Sequence, residues 1–165
     1  MTPAEILADS FARIRESAEA ALDGLSVDEL RHRPGPEANP IGWLVWHLAR
    51  VQDDHVADVA GAPQVYPDFV ERFALPYDTT AIGYGQSSQE VGDFSAPADL
   101  LGEYLAAVHE KTLTYLETLA PEELDRVVDD RWDPPVTLGA RLVSVVNDDT
   151  QHVGQAAYVR GLLGR

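Results

Sequence analysis

The segment Thr137 to Leu163 contains the run Asn147-Asp148-Asp149-Thr150-Gln151-His152-Val153-Gly154-Gln155. Around it Leu138, Leu142, Val145, Val146, Val153, Ala156, Ala157 and Val159 return at the spacing of a helix face, behind Thr137 as a cap. The segment therefore predicts a long helix. Asp148 and His152 are four residues apart, so their side chains share one face, one turn from each other. A carboxylate and an imidazole so placed can share a metal ion if a third ligand arrives from another helix. His47, about a hundred residues earlier, is the candidate.

Three further amphipathic stretches precede this one. Thr2-Pro3-Ala4-Glu5 is a capping box with proline at the first helical position. Leu7, Phe11, Ile14, Ala18, Ala21, Leu22 and Leu25 follow, in a helix ending near Gly24. Ser26 to Leu30 reads as one short capped turn, and Arg33-Pro34-Gly35-Pro36 is a break. Asn39-Pro40 starts the second long helix, which runs past Trp43, Trp46, His47, Val51, Asp54, His55 and Val59 to Gly61. The third begins at Ser95-Ala96-Pro97, carries Leu101, Tyr104, Leu105, Val108, Thr112, Tyr115, Leu116 and Leu119, and ends at Ala120-Pro121.

Residues 62–94 keep no sustained period. They hold Pro63, Pro67, Pro76, Gly83, Gly85 and Gly92, and read as an irregular connection with one short helix around 68–73. Tyr66, Phe69, Phe73, Tyr77 and Tyr84 argue that this connection packs on the domain. Four long amphipathic helices without a clear strand signal predict an all-α, four-helix bundle over 1–165, a single domain. The short break after the first helix predicts that the first two are antiparallel neighbours. The long segment between helices 2 and 3 predicts a crossover connection.

Composition narrows the function. The chain has 165 residues, 28 acidic against 12 basic side chains and a formal charge of −16, with Lys111 as its only lysine. Such a surface repels phosphate backbones, and no basic patch offsets it, so nucleic acid is not an expected partner. There is no cysteine, which excludes disulfides, thiolate metal sites and a cysteine nucleophile. Neither a signal peptide nor a membrane span is legible, so a soluble cytoplasmic protein is expected.

On a bundle, His47 with Asp148 and His152 makes a two-histidine, one-carboxylate set, suited to a divalent transition metal such as zinc, nickel or iron. Three protein ligands leave room for water or substrate. The bland alternatives are a surface ion pair for Asp148 and His152 and a hydrogen-bonded histidine for His47. Asp149 offers a second carboxylate, since its spacing to His152 also permits one face. Asp54 is placed to orient a ligand imidazole or merely to solvate the helix flank. Gly154 in mid-helix suggests a close helix approach. Gln155 is placed to hydrogen-bond a substrate or fill a polar gap. Trp43 and Trp46 read as core or dimer-interface aromatics, and His109 as a helix-face residue.

Asn39-Pro40-Ile41-Gly42-Trp43-Leu44-Val45-Trp46-His47-Leu48, with His152-Val153-Gly154-Gln155 and Arg160-Gly161, resembles the DinB-like superfamily. The order of elements matches along nearly the whole chain. That superfamily of four-helix bundles includes thiol-dependent transferases and the mycothiol-dependent maleylpyruvate isomerase. The resemblance implies a divalent metal on His47, Asp148 and His152, where the family has H-x-x-x-H or E-x-x-x-H before G-Q. Asp148 is the departure, one methylene shorter than glutamate. The resemblance also implies a low-molecular-weight thiol cosubstrate, made nucleophilic by the metal and added to a small electrophilic substrate. Arginine over lysine, with much Ala and Gly, fits a GC-rich actinobacterial source, for which the thiol would be mycothiol. Two other readings stay open: a non-catalytic metal- or ligand-binding bundle, and a structural homodimer without metal.

Overall fold

The computed structural model describes residues 1–165. Its long helices are α1 (Pro3–Leu22), α3 (Ile41–Ala60), α6 (Ala98–Glu117) and α7 (Leu138–Leu162). Short elements join them: α2 (Val27–Leu30), α4 (Val70–Phe73), α5 (Ser88–Gly92), and the strands β1 (Val127–Asp129) and β2 (Val136–Thr137). The fold is an all-α bundle. No helix is long and apolar enough to cross a membrane.

Local chemistry fixes the helix starts. Thr2 and Glu5 form a reciprocal capping box at α1, as do Ser26 and Glu29 at α2. Pro40 and Pro97 are the residues before α3 and α6, one to two positions later than the Asn39 and Ser95 starts read from sequence. Thr137 caps α7 through the Ala140 N–H. Two features departed from the sequence reading. Ser87 and Glu90 cap the unforeseen α5, and β1 pairs antiparallel with β2 where no strand was expected. Both are too short to show a period.

The first two long helices are not neighbours, contrary to expectation. Both α1 and α3 pack on α6 and α7 instead, which places them diagonally. The start of α1, at Ala4 and Ala8, lies beside the end of α6, at Leu113, Leu116 and Glu117, so α1 and α6 run antiparallel. Gln52 bonds Thr112 while Arg50 bonds Tyr104, so α3 and α6 run parallel. Parallel neighbours require the connection to return along the whole bundle, and residues 61–97 do this as the expected crossover. Phe11, Leu30, Trp46, Leu48, Phe94, Leu101, Tyr104 and Leu142 fill the core. Gly42 allows a close crossing, since a Cβ there would stand 2.9 Å from the Phe94 ring.

A buried polar network ties the crossover to α3. Asp53 accepts the N–H groups of Val65 and Tyr66 at 2.9 and 2.8 Å and the Tyr104 hydroxyl at 2.9 Å. Arg50, fully buried, donates to Gln64 at 3.0 Å and to the Ala81 carbonyl at 3.1 Å, and stacks over Tyr66. Without such partners the charges of Arg50 and Asp53 would each cost several kcal/mol to bury, roughly.

Candidate metal centre

α3 and α7 run antiparallel, with His47 opposite Asp148 and His152 and, two turns along, His55 opposite Arg141. This seam brings one ligand atom from each of His47, Asp148 and His152 within 4.8 Å of one another. His47 Nε2 lies 3.8 Å from Asp148 Oδ2, and His152 Nε2 lies 3.6 Å from the same oxygen. Both separations are too long for hydrogen bonds. They are a few tenths of an ångström wider than the ~3.0–3.4 Å between ligand atoms that share a metal at ~2.0–2.2 Å.

The outer ring nitrogens explain why Nε2 faces inward. His47 Nδ1 donates to the Ile82 carbonyl, and His152 Nδ1 donates to Gln155 Oε1 at 3.1 Å. Each bond places the ring proton on Nδ1 and leaves a lone pair on Nε2. Two lone pairs and a carboxylate oxygen then point at one another. Asp148 Oδ2 is buried and has no hydrogen-bond partner. Asp148 Oδ1 accepts from the Tyr84 hydroxyl at 3.2 Å. Two ring nitrogens and a carboxylate oxygen that converge in this way form a set that one shared cation satisfies. The donor set therefore fits a divalent metal by its chemistry.

The surroundings hold His47 rigidly. Its ring is 2% exposed and stacks on Trp43 at 4.7 Å, with Tyr84 edge-on at 5.1 Å. Burial lowers the His47 pKa, against the opposing pull of the Ile82 carbonyl, so the ring stays neutral and able to ligate. Trp43 Nε1 donates to Gln86 at 2.7 Å and pins the crossover beside the ring. A Cβ on Gly83 would collide with His47 Nδ1, and Gly83 has φ +104°. Only glycine lets the backbone come this close.

Other sequence candidates fall elsewhere. Asp149 is fully buried, is not among the three residues whose ligand atoms converge, and leaves both oxygens unpartnered. Asp54 accepts from Gln64 and pairs with His55, away from the ligand rings. Gly154 does not mark a close approach, because a Cβ there would meet nothing within 4 Å. His109, on the face of α6, is buried at 5% exposure, and Trp43 and Trp46 are core residues. The Ile82 carbonyl was invisible in sequence, since every residue carries one; Gly83-Tyr84-Gly85, with positive φ at both glycines, was the available signal.

A model of the DinB superfamily matches residues 10–156. The chain belongs to the DinB superfamily. A crystal structure of a conserved protein from Enterococcus faecalis is similar to this DinB-superfamily chain, with 31% identity and a TM-score of 0.92. The similarity covers 100% of this chain and 99% of that one. No curated protein matches it. Membership accounts for the bundle.

Proposed function

We propose that His47, Asp148 and His152 hold a divalent transition metal (zinc, nickel or iron), and that the protein is a metal-dependent transferase. In this reading it adds a low-molecular-weight thiol, mycothiol or one like it, to a small electrophilic molecule. One observation supports the metal most directly: the buried, unpartnered Asp148 Oδ2 faces two imidazole lone pairs. When bound, the metal would supply Lewis acidity that lowers the pKa of a thiol or polarises the electrophile.

The chain's own residues prepare that site. The Ile82 carbonyl and Gln155 set the histidine tautomers, so neither ring must reorient to ligate. The Tyr84 phenol, its pKa pushed up to about 12 by burial and by Asp148, stays protonated and holds the carboxylate by donation. Trp43 and Tyr84 cover His47 against water. The chain has no cysteine, so the thiol must arrive as a cosubstrate. The thiol itself enters this reading from the family resemblance. The reading also takes the protein as cytoplasmic and homodimeric, the exposed Val143, Tyr158 and Leu162 of α7 offering apolar surface to a second copy.

A second reading, a bundle that binds metal without turnover, is favoured by Tyr84, which cannot serve as a base at neutral pH. Elemental analysis of protein purified without chelator tests the metal. Stoichiometric metal in wild type and at least a tenfold loss in His152→Ala and His47→Ala is expected. Full retention by His152→Ala would sink the proposal. Thiol consumption with a panel of electrophiles then separates transferase from binder.

A further inference from the structure

The parallel neighbours α3 and α6 leave a cavity of about 430 Å³ between their C-terminal halves. Val56, Ala57 and Ala60 of α3, Ala62 and Pro63 just after it, and Val108 of α6 form its apolar lining. Packed helices leave few voids larger than a water molecule. Here the small side chains at positions 57, 60 and 62 leave the groove unfilled. Its volume lies within the range of about 300–1,000 Å³ that holds small molecules.

The polar groups of the lining are engaged within the protein, with one exception. Thr112, Thr114 and Thr118 each donate to a carbonyl of α6, at 3.0, 2.9 and 2.7 Å. Asp53 accepts from the Val65 and Tyr66 N–H groups and the Tyr104 hydroxyl, and its charge is paired with Arg50. The Tyr115 hydroxyl is shielded from solvent. Lys111 is the exception. Its side chain is exposed and reaches from α6 to the Pro63 carbonyl at 2.9 Å, across the rim of the cavity. That bond uses one of three N–H donors, and the ammonium forms no ion pair. Glu110, beside it in the chain, pairs with Arg15 instead. The one uncompensated charge at this apolar cavity is therefore positive.

We propose that the cavity binds a small monocarboxylic acid with an aliphatic body, its carboxylate on the Lys111 ammonium and its body between α3 and α6. Such a body removes the aliphatic wall from water, and the carboxylate takes up the free N–H donors in a charge-assisted bond. A second carboxylate would face the apolar wall and Asp53 with no cation to meet it, which selects a monoacid. Asp53, Val56, Ala57 and Ala60 lie across α3 from His47. The site is thus separate from the metal centre, and binding needs no metal.

The test titrates chelator-treated full-length protein by calorimetry with octanoate, with octanamide as its uncharged counterpart, and with acetate, which carries the charge without the body. One equivalent of octanoate is expected to bind, at least about tenfold more tightly than octanamide, as one charge-assisted contact implies. Acetate should give no measurable binding. Lys111→Gln, at an exposed side chain, should weaken octanoate about tenfold and leave octanamide unchanged. Ala60→Leu, which places a larger side chain in the cavity, should weaken both eight-carbon ligands at least about tenfold. Equal affinity for octanoate and octanamide, octanoate binding unaltered by Lys111→Gln, or uptake of many equivalents without saturation overturns the proposal. Lys111→Gln decides the matter even where Ala60→Leu lowers stability, and His152→Ala should bind octanoate as wild type does.

Discussion

At the scale of single residues, Asp148 and Asp149 show how one position decides a role. They are chemically identical neighbours, yet a turn of 100° puts Asp148 between two imidazoles and Asp149 in the apolar core. Sequence spacing allowed either to face His152, because i+3 and i+4 both lie on one face. Burial, followed by the nearby Asp148 charge, raises the Asp149 pKa well above 3.8. The sign is then fixed. A carboxyl whose folded pKa exceeds its unfolded value is neutral and unpenalised below about pH 3.8, and it costs stability as pH rises toward the folded pKa. Asp149→Val should therefore stabilise the protein at pH 7 by about 1–3 kcal/mol, the cost of an unpaired buried polar group. The gain should be smaller at pH 4. Chemical denaturation at both pH values measures it; a loss at pH 7 would show that Asp149 has a partner worth keeping.

At the scale of elements, the crossover 61–97 is the part the sequence described least well, and the part the site depends on most. Its aromatics argued correctly for packing, but α5 was not expected, although its Ser87-to-Glu90 capping box repeats the Ser26-to-Glu29 pattern that marks α2. The Ile82 carbonyl that sets the His47 tautomer lies next to Ala81, whose carbonyl accepts from Arg50. Arg50 shares Asp53 with the Val65 and Tyr66 N–H groups. Asp53→Ala removes the anion from this network and leaves Arg50 buried without its counter-charge. It should cost about 3–5 kcal/mol. Amide exchange should rise across the Val65–Ile82 stretch while α1 stays protected, and metal should be held less tightly than in wild type. Uniform exchange changes through all four long helices would show that Asp53 supports the bundle as a whole instead of the crossover.

At the scale of the whole molecule, protons are taken up unevenly by the folded and unfolded chains. Burial, with an arginine beside each, holds His55 and His109 below the ordinary 6.5. A histidine with a lowered folded pKa binds its proton more readily when unfolded, so its contribution to stability falls as pH drops below about 6.5. Asp149 changes in the opposite direction over the same range, so the histidine part is read as a difference. A His55→Gln, His109→Gln double variant should gain on wild type steadily as pH falls from 7 to 5, and parallel stability curves would contradict this. The bundle itself was legible from the chain. Apolar residues at helical spacing must be buried together, and the capping boxes and prolines mark where each helix begins, so composition and period alone determined four long helices in one all-α fold. The candidate ligands were legible as residue types at a spacing. Helix order was not, because α1 and α3 show the same amphipathic pattern whether they are neighbours or diagonal. Nor was the direction of each imidazole, which depends on the Ile82 carbonyl and Gln155, partners that only the packed chain brings within hydrogen-bond reach. Local pattern is set by neighbours in the chain; the facing of lone pairs is set by neighbours in space.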